Sequence, residues 1–396
     1  MLKRKSFLLS ILVCTLIISN ISIFAAPQKA EERKIAATAK SYVLMEASSG
    51  KILLENNSAL QLPPASITKI MTLLLIHDAI QAGKITWDDT VTISEHAAHM
   101  GGSQVFMEPG EEQKVRDLVK CIAIASANDA AVAMGEYIGG SEEQFVEMMN
   151  KKARELGMEN TVFKNACGLH EEGHISTAKD IAIMSRELMN KYPDITKTLT
   201  IWMDTITHKT RKGETEFGLT NTNKMIKWYR GITGLKTGYT PEAKHCVSAT
   251  ASRDGIHLIA VVMAAADGKI RFREAAQLLD YGFANYMVKS GPQIGTIVAR
   301  IPVKKGDKKL IELAVAQTKS FVLPKGNSES KVTYEVKYDT LPIAPIAKGD
   351  EIGTIVYSLD GNVVGEDKLV AAFDVGKAKL GDMIPYTLKR FFDMKE

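Results

Sequence analysis

The spacing of apolar residues changes once along this chain, near Lys289. Before that point, long runs with the helical period alternate with shorter extended runs. Beyond it the helical period stops, and short β-type runs follow at 294–303, 310–316, 332–338, 351–357 and 368–372, separated by Lys-Gly-Asp and similar turns. The pattern predicts an α/β (α+β) domain over residues 36–288 and a small all-β domain over residues 289–380.

The most apolar helical run begins at Ser66 and ends near Ala82. Its apolar residues cover nearly the whole circumference, so we expect the helix to be buried on most sides. Gly83 follows it as a C-terminal cap. Two further helices are predicted over 115–125 and 129–138, with a short break between them.

Extended runs lie at both ends of the first domain. Residues 42–46 and 52–54 flank a glycine turn and predict a β-hairpin, while 232–240, 246–252 and 256–264 predict three more strands. Helices are expected over 270–286 and after Thr177, whose spacing to Asp180 resembles a capping box. We therefore expect one antiparallel sheet that joins the two ends of the domain.

Residues 1–26 are typical of a signal peptide. A basic segment over 3–5 is followed by an apolar run over 7–18, and residues 25–26 are small enough for cleavage. Because the apolar character extends to Phe24, an uncleaved anchor helix stays open as the alternative. Both interpretations predict an exported, extracytoplasmic protein.

Residues 381–396 have the pattern of a short amphipathic helix. Ile384, Leu388, Phe391 and Phe392 fall on one face, and charged residues fall on the other. Two interpretations stay open: the helix contacts the outer face of the cytoplasmic membrane, or it docks on its own domain.

Charge and cysteine content narrow the class of protein further. The formal net charge is +4, and the basic segment at 3–5 supplies three of those charges, so the rest carries +1 and has no basic footprint for nucleic acid. One of the four cysteines lies in the predicted signal, and the odd remainder argues against a disulfide framework. We expect Cys121, Cys167 and Cys246 to be small buried apolar side chains.

Three short motifs carry the candidate chemistry: Ser66-Ile67-Thr68-Lys69, Ser126-Ala127-Asn128 and Lys236-Thr237-Gly238. A serine hydroxyl is a poor nucleophile at neutral pH and needs an adjacent base. On a helix, residues i and i+3 share a face, so the first motif brings its hydroxyl and amine together. Burial, with the lysine of the third motif as a second cation, is expected to lower the pKa of that amine enough for it to act as the base.

The S-x-x-K pattern alone is ambiguous, because it also begins at Ser48, Ser176 and Ser328. Ser48 lies in a predicted turn, Ser176 at a predicted helix start and Ser328 in a polar loop. Only Ser66 opens a long apolar helix and precedes the other two motifs, so Ser66 is the candidate nucleophile. A helix N-terminus also presents N–H groups to a developing oxyanion.

The segments 64–69, 126–129 and 234–240 resemble those of low-molecular-weight penicillin-binding proteins, in particular the D-alanyl-D-alanine carboxypeptidase family. The likeness extends from about residue 42 to 286, and the β domain and amphipathic tail also fit that family. The resemblance implies a β-lactamase/transpeptidase-like fold with an antiparallel sheet and helices. It also implies a serine peptidase, without metal or cofactor, that removes the terminal D-alanine from the peptidoglycan stem peptide and that β-lactam antibiotics inhibit covalently.

The resemblance further implies a role for each motif residue. Ser66 would attack the carbonyl between the two D-alanines, Lys69 would take its proton, and Ser126 would relay a proton to the leaving group. The residues implied in substrate binding are Asn128, Lys236, Thr237, Gly238 and Tyr239. In that scheme Asn128 holds the peptide amide, and Lys236 with Thr237 recognises the terminal carboxylate.

Two backbone features complete the implied site. Gly238 would let its strand approach the substrate closely, and the backbone N–H groups of Ser66 and Tyr239 would form an oxyanion hole. Some family members carry histidine where Tyr239 stands, which leaves a backbone hole intact. Thr222 stands between two asparagines where some members carry arginine, so one implied carboxylate contact is in doubt.

Three alternative functions, a zinc peptidase, a β-lactamase and a catalytically silent peptidoglycan-binding protein, each require sequence features that differ from those of this chain. Residues 170–174 match the H-E-x-x-H zinc motif, but Gly168 and Gly173 bracket them and predict a loop, where two imidazoles do not share a helical face. A β-lactamase would need a deacylating glutamate, and Glu187 with Asn190 has the wrong spacing and falls in a predicted helix. A catalytically silent peptidoglycan-binding protein would lack a motif residue, and none is missing.

Overall fold

The computed structural model describes residues 38–210, 213–327 and 331–379. The predicted signal peptide over 1–26 and the predicted tail helix over 381–396 lie outside these ranges. Within the part of the chain that the structure describes, every helix is too short or too polar to cross a bilayer.

The first domain mixes helices and strands. Its strands are β1 Ser41–Glu46, β2 Ile52–Asn56, β3 Thr90–Thr92, β4 Glu112–Lys114, β5 Met203–Thr210, β6 Gly213–Thr220, β7 Ile232–Thr240, β8 Lys244–Arg253 and β9 Ile256–Ala265. Its α-helices are α1 Lys69–Gln81, α2 Glu95–Ala98, α3 Val115–Lys120, α4 Asn128–Gly139, α5 Glu142–Glu155, α6 Ala178–Lys191, α7 Thr196–Leu199 and α8 Gly268–Asn285. Short 3-10 turns lie at Ala65–Thr68, Pro193–Ile195 and Lys224–Lys227, and a π turn lies at Cys121–Ala125.

The central sheet has the strand order β2–β1–β9–β8–β7, and all its pairings are antiparallel. It therefore joins the two ends of the domain, as the sequence predicts. One face packs on α8, where Leu44 and Leu258 lie close to Gly282. The opposite face contributes Val43 and Val261 to the core that also contains the apolar residues of α1 and α6. Both faces are covered, and every residue of β1 is buried.

The helix predicted from Ser66 to Ala82 is present, with a 3-10 first turn ahead of α1. The apolar residues of α1 from Ile70 to Ile76 are buried, and Gly83 adopts a φ of +68° after the C-cap. A glycine accepts that left-handed conformation without steric penalty, so it ends the helix as predicted.

The break predicted between the next two helices is also present. Helix α3 passes into the π turn, Ser126 then adopts a left-handed conformation (φ 63°, ψ 31°), and Ala127 is extended. Helix α4 begins at Asn128. The second motif is therefore a sharp corner of the backbone between two buried helical segments.

The second domain is all-β in the described residues. Its strands are β10 Tyr286–Ser290, β11 Ile297–Pro302, β12 Leu310–Val315, β13 Ser320–Pro324, β14 Val332–Lys337, β15 Glu351–Leu359 and β16 Asn362–Ala371, with a 3-10 turn at Lys325–Asn327. One sheet has the order β11–β12–β16–β15–β14, and β10 pairs with β13. Because β10 runs across the predicted boundary at 288/289, that boundary stays a prediction.

Some strands are missing from the sequence-based prediction. The hairpin β5–β6 is rich in Thr, Lys and Glu, and most of its residues are exposed or half-buried, so it lacks a clear apolar alternation. Strand β16 is longer than predicted, because its first residues are polar or exposed and pair with β15 beyond the turn at Asp360 and Gly361. Both turn residues have positive φ, as a tight hairpin turn requires.

Candidate active site

The three motifs meet where the start of α1 lies against strand β7. Ser66 sits in the 3-10 turn that opens the helix, directly after Ala65, which has a φ of +48°. Gly168 (φ +85°) packs against this turn so tightly that a Cβ would clash with the carbonyl of Ala65 and with Thr68 Oγ1. The loop at Gly168 therefore fixes the turn that presents Ser66.

Ser66 and Lys69 lie on one face of this turn, as predicted. Lys69 is completely buried, and its Nζ lies 3.1 Å from Ser66 Oγ. The same Nζ donates to Asn128 Oδ1 at 2.5 Å and to the Cys167 carbonyl at 2.7 Å. Asn128 Nδ2 donates to the Gly101 carbonyl at 2.6 Å, which fixes the amide with its oxygen towards Lys69.

This arrangement favours Lys69 as a base. Burial lowers its pKa from 10.5 to about 8, opposed by the charges of Cys167 and Asp129. The amide and carbonyl oxygens can only accept, so they take both N–H bonds that a neutral amine retains. The lone pair is then left facing Ser66 Oγ, whose hydroxyl is the one group of the three with a proton to give.

The second lysine–serine pair comes from the other two motifs. Lys236 is 1% exposed, and its Nζ donates to Ser126 Oγ at 2.7 Å and to the Thr237 carbonyl at 3.2 Å. Burial is the main cause that lowers the pKa of Lys236 well below 10.5, and the charges of Lys69 and Arg271 lower it further. Lys69 thus lies close enough to Lys236 to disfavour its charge.

Strand β7 passes directly over the Ser66 turn. A Cβ at Gly238 would lie 3.0 Å from the Pro64 carbonyl oxygen and 3.1 to 3.2 Å from atoms of Ala65 and Ile67. Arg271 Nη1 donates to the Gly238 carbonyl at 2.8 Å. Because β7 is the last strand of the sheet, its outer edge is open towards this turn.

The remaining implied binding residues lie on the same strand. Thr237 Oγ1 donates to Thr222 Oγ1 at 2.7 Å, so Thr222 contacts the third motif through a hydroxyl. Tyr239 is 56% exposed and stacks on His245, with ring centroids 4.5 Å apart. All eight predicted site residues therefore converge on one region: Ser66, Lys69, Ser126, Asn128, Lys236, Thr237, Gly238 and Tyr239.

Sequence reasoning missed several residues that support this region. The Cys167 carbonyl accepts from Lys69, and the Arg271 guanidinium donates to the Gly238 carbonyl; the acceptors are backbone groups, which leave no motif in the sequence. Asp129 is completely buried beside Asn128 and could have been found, because an acidic residue directly after a buried motif needs partners. The three cysteines are buried and unbridged, as predicted.

The segment 170–174 is a loop, as predicted, and not a zinc-binding helix. His174 is 3% exposed; its Nε2 lies 2.9 Å from Thr68 Oγ1, and its Nδ1 accepts from the Lys164 N–H at 3.4 Å. Burial lowers the pKa of His174 to about 4. Across residues 38–210, 213–327 and 331–379, no group of three or more His, Cys, Asp or Glu side chains is arranged to hold a metal ion.

Comparison with known proteins agrees with this geometry. A family model described as D-alanyl-D-alanine carboxypeptidase matches residues 26–267, and a model of the penicillin-binding protein 5 C-terminal domain matches 290–377. The chain is 48% identical over 357 residues to the D-alanyl-D-alanine carboxypeptidase DacF of Bacillus subtilis. The aligned region covers 90% of this chain and 91% of the relative.

Solved structures are similar over much of the chain. Penicillin binding protein 5 from Haemophilus influenzae is 33% identical with a TM-score of 0.73, covering 86% of this chain and 98% of that one. Penicillin-binding protein D2 from Listeria monocytogenes, in its ampicillin-bound form, is 31% identical with a TM-score of 0.52, covering 62% of this chain and 98% of that one. The predicted fold class is confirmed, and the chain belongs to the D-alanyl-D-alanine carboxypeptidase family.

Proposed function

We propose that this chain is a serine-type D-Ala-D-Ala carboxypeptidase that removes the terminal D-alanine from the peptidoglycan pentapeptide through an acyl-enzyme on Ser66. The observation that carries the proposal is the 3.1 Å approach of the buried Lys69 amine to Ser66 Oγ. General base catalysis of this kind contributes about 10²–10⁴ in rate.

In the acylation step, Ser66 Oγ forms a bond to the carbonyl carbon of the penultimate D-alanine. Neutral Lys69 takes the hydroxyl proton. The bond to the nitrogen of the terminal D-alanine breaks, and that nitrogen gains a proton from Ser126 Oγ, which Lys236 re-protonates across their 2.7 Å contact. Before deacylation, Lys69 loses the proton that it took and Lys236 regains one, so both amines return to their starting forms. In deacylation, water attacks the ester carbonyl and gives a proton to Lys69; the bond between the acyl carbon and Ser66 Oγ then breaks, and Lys69 returns that proton to Ser66 Oγ.

Binding is assigned to the groups around this pair. Lys236 and Thr237 hold the terminal carboxylate, with Thr222 contributing a hydroxyl instead of the arginine of some relatives. Asn128 holds the peptide amide. The backbone N–H groups of Ser66 and Tyr239 stabilise the oxyanion, a contribution of about 10²–10³ per donor.

β-Lactam antibiotics are the proposed covalent inhibitors. A strained lactam carbonyl presents Ser66 with the same acyl chemistry, and its carboxylate suits the positive charge of Lys236. The ampicillin-bound structure of the Listeria relative supports this assignment. A β-lactamase is disfavoured because Glu187 and Asn190 lie within α6, where Asn190 Nδ2 donates to the Ala47 carbonyl at 2.8 Å.

The location follows from the substrate. Peptidoglycan lies outside the cytoplasmic membrane, so we propose that the chain is exported by a signal peptide over 1–26, is secreted to the cell wall and acts in cell wall biogenesis and cell shape. The amphipathic pattern over 381–396 supports association with the outer face of the membrane.

The test is release of D-alanine from a pentapeptide ending in D-Ala-D-Ala. The purified protein is expected to release it, and Ser66→Ala is expected to lose the activity while keeping its melting temperature. D-alanine release at the parent rate by Ser66→Ala contradicts the proposal. A catalytically silent binding protein would bind peptidoglycan and release none.

A further inference from the structure

Phe106 is an exposed aromatic residue in a conformation that bulky residues rarely adopt. Its side chain is 67% exposed, and its φ is +60°. Backbone strain of this kind persists only where the surroundings enforce it, and it concentrates at functional sites. Burial of the ring does not explain the conformation, so an exposed aromatic ring held in this way is a candidate for contact with a ligand.

The surroundings that enforce this conformation belong to the second motif. The buried carboxylate of Asp129 accepts N–H bonds from Val105 at 3.1 Å and from Met107 at 3.3 Å, and the Phe106 N–H also contributes to holding its charge. Burial raises the pKa of Asp129, and these N–H groups oppose that rise. Asp129 therefore clamps the backbone on both sides of Phe106.

The same loop also contacts Asn128. The Asn128 N–H donates to the Ser103 carbonyl at 2.7 Å, and Asn128 Nδ2 donates to the Gly101 carbonyl. Phe106 is thus held three residues from a direct backbone contact with the residue proposed to bind the substrate amide. The loop that carries Phe106 therefore contacts the site at Asn128, whereas the lysine proposed to bind the terminal carboxylate lies on β7.

A second aromatic residue supports the ring of Phe106. Phe217, on β6, lies with its centroid 6.1 Å away at an interplanar angle of 66°. Phe217 packs in turn on His208 at 5.4 Å, and His208 Nδ1 lies 2.7 Å from the buried carboxylate of Glu111. The two rings form a small apolar surface on a fixed base.

Resting on the function proposed above, we propose that Phe106 determines substrate specificity by contacting the stem-peptide residue that precedes the two D-alanines. The ring packs on the aliphatic part of that residue's side chain. The substrate chain runs from the carboxylate at Lys236, past Ser66 and Asn128, to this surface. Phe106 takes no part in proton transfer.

The experiment compares two substrates: the pentapeptide, and a truncated acyl-D-Ala-D-Ala in which glycine replaces the preceding residue. The measured quantity is the kcat/KM of the pentapeptide divided by the kcat/KM of the truncated substrate. For Phe106→Ala we expect this ratio to fall about tenfold, because the KM of the pentapeptide rises. Phe106→Leu should retain most of the ratio. Phe106→Gly should lose it with an unchanged or higher melting temperature, because glycine accepts a positive φ.

Tyr334→Ala is the matched control, since Tyr334 is 47% exposed on β14 of the second domain and should leave the ratio unchanged. An equal loss on both substrates, or no loss on either, overturns the inference. These outcomes are distinct from failure of the proposed function, in which the parent protein releases no D-alanine or Ser66→Ala still releases it.

Discussion

Lys236 Nζ lies 2.7 Å from Ser126 Oγ, between a strand and a helical corner that are 110 residues apart in the sequence. Together with the contact between Lys69 and Ser66, it forms two buried lysine–serine pairs side by side. Each lysine has a lowered pKa, mainly through burial. A substrate carboxylate beside Lys236 favours its charged form, so in the complex Lys236 can hold the proton that it returns while Lys69 acts as the base.

The pKa of Lys69 predicts how the acylation rate depends on pH. Below about 8, Lys69 carries three N–H bonds and has no lone pair for the Ser66 proton. The second-order rate constant for penicillin acylation should rise about tenfold per pH unit towards that value and level off above it. Stopped-flow measurement between pH 6 and 9 tests this, and a rate that does not change with pH contradicts it.

Replacing Lys236 should separate activity from stability. Burial of a cation opposes folding, so Lys236→Met is expected to leave the melting temperature at pH 7 unchanged or higher. The same change removes the proton source of Ser126 and the positive charge for the substrate, and kcat/KM should fall by about 10²-fold or more. A variant that is both less stable and fully active would argue against this role.

Gly238 should tolerate no side chain. Alanine there meets the Pro64 carbonyl oxygen at 3.0 Å and forces β7 away from the Ser66 turn. We expect Gly238→Ala to slow acylation about tenfold or more. Gly218→Ala is the matched control, because a Cβ there meets nothing within 4 Å. Equal acylation rates in the two variants would show that the close approach is unimportant.

His174 should make the protein less stable in acid. Its pKa is about 4 when folded and 6.5 when unfolded, so the unfolded chain binds the proton first as the pH falls. The contribution of His174 to the free energy of unfolding is fully present above pH 6.5. It decreases by about 3 kcal/mol as the pH falls towards 4. Chemical denaturation of the parent and of His174→Gln between pH 4 and 7 measures it, and identical pH slopes contradict it.

The sequence predicts most of the scaffold of this site, because the scaffold rests on local patterns. The apolar circumference of α1, the glycine after it and the alternating strands near both ends of the domain are read directly from residue spacing. The serines and lysines of the motifs can be chosen as candidates from the sequence, because their hydroxyl and amine groups are reactive. Their pairing across 110 residues cannot be predicted in this way, and it enters through the resemblance to a family.

The parts that could not be predicted depend on backbone geometry and tertiary contacts. Lys69 donates to the backbone carbonyl of Cys167, and because every residue type has such a carbonyl, the sequence does not mark this position. The left-handed corner at Ser126 and the positive φ of Phe106 are imposed by packing, since neither residue favours that conformation. The polar hairpin β5–β6 forms without an apolar pattern of its own.

The most direct test of the nucleophile is the position of the penicillin adduct. After incubation with benzylpenicillin, trypsin should release residues 52–69 as one peptide, which contains both Ser58 and Ser66. Fragmentation should place one penicilloyl group on Ser66, with no adduct in Ser66→Ala and a full adduct in Ser58→Ala. An adduct on Ser58 or on any other residue, or one that persists in Ser66→Ala, would contradict the assignment of Ser66.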